Sequence, residues 1–419
     1  MNETSLPSAG RTAWLMVALL VPVALLNYLD RQMLATMKAS MVADIPSIAN
    51  KADWGIVLGS FKWVYAALSP IGGYIADRFS RRHVISFSLL AWSLVTWWTG
   101  HVGSFHELVA ARALMGVSEA FYIPAALALI TDFHLGRTRS RAVGLHQTGI
   151  YIGLILGGFA GYVAESPSLG WTWAFSAAGI VGVVYAFPLF FLLKNPPRPA
   201  AADGSLVAGP SPLAALGSLL GNRHFILLVL YFTLPAIAGW VVRDWMPEVV
   251  RERYGLSQGD AGLSAVLSVQ IASILGSLLG GWTADRWMRR THRGRIYASA
   301  IGMVLFLPAL IGVGRSETVV FAVSFLVLFG IGWGFFDTNN MPILSQIARP
   351  ELRATGYGLM NFVSISAGGF ADWSFGHLRD QKVAHSTIFD TFAGIALLSV
   401  VIVLLIRPRG ADAGREEAQ

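Results

Sequence analysis

The chain of 419 residues has no cysteine, which rules out a disulfide framework and thiol chemistry and says nothing about compartment. Charge is also scarce: 13% of residues are Asp, Glu, Lys or Arg, against about 25% in soluble domains. Only five lysines are present and none follows a glycine, so the phosphate-binding loop that ends in Gly-Lys is missing. The zinc-hydrolase pattern H-E-x-x-H is missing as well. Direct use of ATP and zinc hydrolysis are therefore not expected, and the chain is read as a non-enzyme without cofactor or metal. No alternation of apolar and polar residues is sustained, which argues against a membrane β-barrel.

What the chain has is apolar length. Hydrophobic residues make up 54% of it, and mean hydropathy is +0.57. Twelve apolar runs fall at 12–36, 54–76, 84–101, 106–131, 141–164, 171–193, 224–249, 259–285, 296–314, 318–347, 354–377 and 386–406. Each approaches the roughly 20 residues that carry a helix across a bilayer. The first is preceded by a single basic residue, Arg11, and leads into "NYLDR" with no small-residue cleavage site, so it is expected to stay as a span. If both termini lie inside, the inner loops and tails hold 20 of the 31 Lys and Arg, the outer loops hold 7, and four lie within spans. That asymmetry follows the positive-inside rule. The net charge of +7 then orients the protein in a membrane, and a nucleic-acid partner is not expected.

The runs repeat as a block of six. "GGYIADRFSRR" (72–82) and "GGWTADRWMRR" (280–290) agree at seven of eleven positions and lie 208 residues apart. "RAVG" (141–144) is answered by "RATG" (353–356), and "EAFYIP" (119–124) by "DTNNMP" (337–342), in the same order. The expected fold is all-α, with twelve transmembrane helices in two parallel six-helix bundles. Residues 1–193 form the first bundle and 223–406 the second. A flexible cytoplasmic linker spans 194–222, beginning "KNPPRPAAADGSLVAGPSP", and a polar tail spans 407–419.

The whole chain resembles the major facilitator superfamily of transporters. The loop at 72–82 is similar to that superfamily's signature after its second helix, with Ser80 where a glycine is usual. "NYLDR" in the first span and "RALMGVSEA" in the fourth resemble the anion:cation symporter family, which moves sugar acids and related organic anions. Spinster-like lipid transporters share a similar Asp-Arg pair and fourth-helix pattern.

An ionised side chain at the centre of a membrane helix costs roughly 2.5–3.5 kcal/mol on insertion scales, so such groups need partners or water. Asp30 and Arg31 lie in the first span, and Arg112 and Glu119 in the fourth. Seven residues make about two helical turns, so Arg112 and Glu119 project from one face. Two acids and two arginines on inward faces can neutralise one another. A substrate anion or a proton competing for such an arginine links the two movements; a static cluster of ion pairs is the alternative. The resemblance implies that Asp30 and Glu119 carry protons and that Arg31 and Arg112 serve the anion. It also assigns Tyr28 and Tyr65 to substrate. Lys62, one turn from Tyr65, is expected to snorkel at the outer mouth.

In the fifth span Gly149, Gly153, Gly157 and Gly161 recur every fourth residue, a ridge that lets another helix come close. Gln147 before it is a candidate for substrate hydroxyls, and His146 is expected to be structural. Trp333 and Asn361 are the substrate candidates of the second bundle, among other amides such as Gln270, Asn339 and Asn340. Asp337, Arg243 and Asp244 depart from the symporter pattern and keep open roles. Asp77, Arg78 and Arg82, with Asp285 and Arg286, are expected to form gating charge networks on the cytoplasmic face. The resemblance assigns Asp77 to a latch between the halves.

The expected function is proton-coupled secondary transport of a small organic anion, a sugar acid or similar carboxylate, by alternating access. Lipid or lysolipid movement of the spinster type is the alternative, and a non-transporting sensor with the same fold is a third class. Expected partners are substrate, protons and the bilayer. The chain is read as a monomer of the bacterial inner membrane with both termini cytoplasmic.

Overall fold

A computed structural model describes residues 10–134, 138–195, 212–349 and 352–408. Among the described residues the regular structure is helical throughout. The first half contains α1 (Arg11–Thr36), α2 (Lys38–Asp44), α3 (Lys51–Arg78), α4 (Arg81–Thr99), α5 (Phe105–Glu119), α6 (Tyr122–Phe133), α7 (Arg139–Gly158), α8 (Ala160–Ala164) and α9 (Gly170–Leu192). A short α10 (Pro212–Leu220) precedes α11 (Arg223–Tyr254), α12 (Gln258–Met288), α13 (Gly294–Arg315), α14 (Val319–Ile347), α15 (Arg353–Asp380) and α16 (His385–Leu405). Each of the twelve apolar runs coincides with one helix or with a broken pair. Among the described residues nine of these stretches are long and apolar enough, by length and composition alone, to cross a membrane. The other three, α3, α4 and α15, are marked as spans by the repeat and by their place between neighbours. The chain is thus an all-α membrane protein with twelve spans in a six-plus-six order.

Two spans are broken where an unbroken one was expected. The fourth divides between α5 and α6 directly after Glu119. Pro124 has no N–H to donate, and its ring opposes the carbonyl of Ala120 four residues back. The fifth divides at Phe159, between α7 and α8.

The expected linker is only partly a linker. Residues 196–211 lie outside the described residues, but Pro212–Leu220 form a helix. Ala215 and Leu219 on that helix are buried. Four-residue spacing puts them on one helical face, so the second part of the segment is amphipathic and packs on its own half.

The helices cluster into two compact units, and the units do not follow the sequence halves strictly. Unit 1 holds Met1–Ala49, Ser60–Ala202 and Leu256–Leu263; unit 2 holds Asn50–Gly59, Asp203–Gly255 and Ser264–Gln419. The first turns of α3 therefore belong to unit 2, and the first turns of α12 to unit 1. The chemistry is the same in both places. In unit 2 the Asp380 carboxylate, at the end of α15, accepts from the amides of Lys51 (3.0 Å) and Ala52 (2.8 Å), and Lys51 Nζ pairs with Glu252. In unit 1 the Glu165 carboxylate, just past α8, accepts from the amides of Gln258 (2.7 Å) and Gly259 (3.4 Å), and Gln258 Nε2 donates to Ser40 Oγ (2.6 Å). A carboxylate at a helix N-terminus satisfies otherwise orphaned N–H groups and meets the positive end of the dipole. Lys51 and Gln258 are 207 residues apart, so the internal repeat extends into these caps.

Candidate functional site

The charged residues of the first and fourth spans converge inside unit 1. The guanidinium of Arg31 donates through Nε to Glu119 Oε2 at 2.6 Å, and its terminal nitrogen completes the ion pair. The Glu119 side chain is fully buried and that of Arg31 is 11% exposed. Asp30, on the next position of α1, turns to a different partner: Thr96 Oγ1 of α4 donates to Asp30 Oδ2 at 3.0 Å. The outer oxygens of both acids, Asp30 Oδ1 and Glu119 Oε1, are buried without hydrogen bonds among the described residues. Asn27, one turn before Arg31, is buried and approaches Glu119 without reaching hydrogen-bond geometry.

Aromatic rings complete the surroundings of Arg31. Its guanidinium lies 4.8 Å from the Tyr28 ring centre, 4.6 Å from that of Phe61 and 5.2 Å from that of Tyr65. Arg112 lies 4.7 Å from the same Phe61 ring and donates to Met115 Sδ. Phe61 is therefore shared by the two arginines, each over its π system, an attraction that strengthens where water is excluded. Electrostatically, Asp30 feels Glu119, Arg112 and Arg31 together. The four charges expected to neutralise one another do form one cluster, with Arg31–Glu119 as its direct ion pair.

Four glycines set this geometry. Gly116 lies midway between Arg112 and Glu119, and a Cβ there would stand 2.7 Å from the Phe61 carbonyl on α3. Only glycine lets α5 close on α3 so that Arg112 and Phe61 meet. Along α7, side chains at Gly149 and Gly153 would strike the α1 carbonyls of Val21 and Leu25, and one at Gly157 would strike Gln32. For its first three glycines the partner of the ridge is thus α1, the helix that carries Asp30 and Arg31, while Gly161 meets Gln258 and Gly259 at the start of α12.

The other candidates distribute unevenly. Gln147 is half-buried in unit 1, and its amide has no hydrogen-bond partner among the described residues. His146 is buried, 2.8 Å from the Tyr122 hydroxyl. Lys62 requires a correction: it is 3% exposed, so it is buried and does not snorkel to an outer mouth. Trp333 and Asn361 belong to unit 2. Trp333 is stacked with Phe306 (centroids 6.4 Å apart, 5° between planes) and Phe329, an aromatic packing site. Asn361 is half-buried and has no hydrogen-bond partner among the described residues. Asn339 bonds back to Phe335 O of its own helix, so it does not tie two helices together. Asp337 is exposed on α14; Asp244 is buried, and Arg243 stacks on Trp240 at 5.4 Å.

The cytoplasmic charged residues are placed only in part. The side chains of Asp77 and Arg78 lie outside the described residues. Arg82 approaches His83 Nε2 at 3.2 Å, and its amide donates to Asn195 Oδ1. Arg81, its neighbour, pairs with Asp132. Asp285 and Arg286 are exposed and form no ion pair among the described residues; Arg286 rests near Trp282 at 6.0 Å. One enzyme-like pattern does occur in the chain. Gly255-Leu-Ser-Gln-Gly259 spells the G-x-S-x-G of a nucleophile elbow, which requires a strand-to-helix turn. Here it joins two helices, and Ser257 Oγ is spent on Asp260, donating to its carboxylate at 2.7 Å and accepting from its amide at 3.0 Å.

Sequence reasoning missed Phe61 and Thr96. An aromatic and a threonine in apolar helices carry no signal of their own. Only their seats beside Arg31 and Asp30 mark them.

Comparison with known proteins is consistent with this architecture. The Major Facilitator Superfamily profile matches residues 20–371. Protein spinster of Drosophila melanogaster is 26% identical over 87% of this chain, which spans 61% of that protein's length. The D-galactonate transporter of Escherichia coli O6:H1 is 24% identical, covering 95% of this chain and 96% of the relative. Among solved structures, a bacterial homolog of the human lysosomal transporter Spinster superposes with a TM-score of 0.76 at 19% identity, covering 94% of this chain and 95% of the other. A D-xylose-proton symporter gives 0.73 at 15% identity, covering 94% and 98%.

Proposed function

Because the chain belongs to the Major Facilitator Superfamily, we propose that it is a secondary transporter that couples protons to the movement of a small organic anion, a sugar acid or similar carboxylate. The observation that carries this reading is the Arg31–Glu119 ion pair, buried inside a span bundle and walled by Tyr28, Phe61 and Tyr65. An anion that takes Arg31 leaves Glu119 as a buried carboxylate without its counter-charge. Breaking such a pair costs roughly 3–5 kcal/mol, and a proton on the carboxylate relieves it. Anion and proton then enter the same cluster together, and Asp30 with Thr96 provides a second protonatable position beside it. Arg112 offers a second cationic contact; Gln147, Asn361 and Trp333 are proposed for the hydroxyl-bearing part of the substrate. The similarity to a D-galactonate transporter over nearly the full chain supports this substrate class.

Spinster-type movement of a lipid or lysolipid is the second reading, favoured by the spinster relative and the spinster-like neighbour. In proteoliposomes given sugar acids, monocarboxylates and lysolipids in turn, an inward proton gradient is expected to drive uphill uptake of a sugar acid. Glu119→Gln is expected to abolish uphill uptake while exchange persists. Unchanged uphill uptake in that variant would sink the coupling role, and uptake of lysolipid alone would transfer the protein to the second reading. Asp77, Arg78, Arg82, Asp285 and Arg286 are proposed for gating, with both termini cytoplasmic in a bacterial inner membrane, as the charge bias directs.

A further inference from the structure

Away from the charge cluster, unit 2 contains a cavity of about 420 Å³ where the first turn of α11, the start of α13 and the end of α16 come together. Arg223, Arg293 and Arg407 line it with His224, Leu404 and Leu405. We infer that this cavity binds the phosphate-bearing headgroup of an anionic phospholipid.

Three arginines line the cavity, and among the described residues none of them pairs with a carboxylate. The remaining polar contacts show the same shortage of acceptors. Arg223 Nε approaches His224 Nε2 at 3.4 Å, while the Arg407 amide approaches His224 Nδ1 at 3.3 Å. A neutral imidazole has one acceptor nitrogen, so it cannot satisfy both. Arg293 is already oriented: its terminal nitrogen donates to the Leu404 carbonyl, its guanidinium lies 5.3 Å from the Tyr297 ring centre, and its Nε is buried with no hydrogen-bond partner. The site gathers three arginines, with Arg293 held in place, and no anionic oxygen among the described residues, the complement of a phosphate.

Two features favour a lipid over a soluble anion. Leu404 and Leu405 on the rim are 38% and 56% exposed, so the cavity adjoins an apolar surface fit for acyl chains. All three helices end here at the face that the charge bias places inside, where basic pockets between spans meet acidic lipid headgroups.

The test uses the full chain purified in a neutral detergent, with native mass spectrometry after adding phosphatidylglycerol or phosphatidylcholine. Phosphatidylglycerol is expected to remain bound and phosphatidylcholine to dissociate. Each arginine changed to glutamine should weaken phosphatidylglycerol binding about fivefold. Arg407→Gln, beyond the end of α16, keeps the test usable if the triple variant R223Q/R293Q/R407Q does not fold. Equal binding of the two lipids, or unchanged phosphatidylglycerol binding in Arg407→Gln and the triple variant, would overturn the inference. So would displacement of the lipid by inorganic phosphate at equal concentration, which would make this a site for soluble anions. Transport is not read in any arm, so failure here leaves the substrate proposal untouched.

Discussion

At the residue scale, the two arginines of the cluster are not equivalent, and that difference can be measured. Arg31 holds Glu119 directly, with an aromatic wall on its exposed sides. Arg112 reaches Met115 and the Phe61 ring, and its charge is felt by both acids. Arg31→Ala and Arg112→Ala are both expected to lose transport while the protein still inserts. Arg31→Ala should also lower the melting temperature in detergent, because it strands a buried carboxylate at a cost of roughly 3–5 kcal/mol. Arg112→Ala should cost less stability and more substrate affinity. Full affinity in Arg112→Ala would move that residue from the anion site to the supporting structure. Asp30 and Glu119 were legible in the sequence because a carboxylate in an apolar run must find a partner, water or a proton. Phe61 and Thr96 were not, since their role depends on which helices stand next to them.

At the scale of the element, the glycine ridge on α7 determines where the reactive part of α1 sits. The sequence showed that some helix would approach; the structure supplies α1 and its register at Val21, Leu25 and Gln32. A larger residue at Gly153 must push against a backbone carbonyl, which cannot rotate out of the way as a flexible side chain can. Gly153→Val is therefore expected to insert poorly or, once inserted, to lose transport by shifting Asp30 and Arg31 off their partners. Wild-type uptake in Gly153→Val, at wild-type abundance, would show that the α1–α7 contact is dispensable. The break after Glu119 belongs to the same scale. Pro124 makes it intelligible, yet an unbroken apolar run from 106 to 131 conceals it from any reading of hydropathy alone.

At the scale of the whole molecule, each unit contains the first turns of a helix from the other half of the sequence. During transport, the N-terminal turns of α3 and α12 are expected to leave the Asp380 and Glu165 carboxylates. Asp380→Asn with Glu165→Gln is expected to weaken both caps and raise the accessibility of those turns. The absence of native cysteine allows a direct measurement: a single cysteine at Ser257 should react faster with a membrane-impermeant maleimide in the double variant than in the parent. Equal rates would mean that the caps stabilise the fold without taking part in the cycle. A separate expectation concerns Asp77, the one acid in its basic loop. Asp77→Asn should lengthen spin-label distances across the cytoplasmic face, because only interactions present in one state move the equilibrium. Unchanged distances together with intact transport would leave Asp77 an ordinary loop residue.

The sequence alone determined the twelve spans, the repeat of a six-span block and the four charges that had to find partners. Apolar length and the cost of an unpaired charge in lipid are local properties, readable wherever the residues stand. The tertiary structure decided which charges pair, that Asp30 takes Thr96 while Arg31 takes Glu119, and that Lys62 is buried. It also decided that α3 and α12 begin in exchanged units, and that three arginines 70 to 184 residues apart share one cavity. Those outcomes depend on packing between helices distant in the chain, and neither composition nor spacing along one helix contains that information.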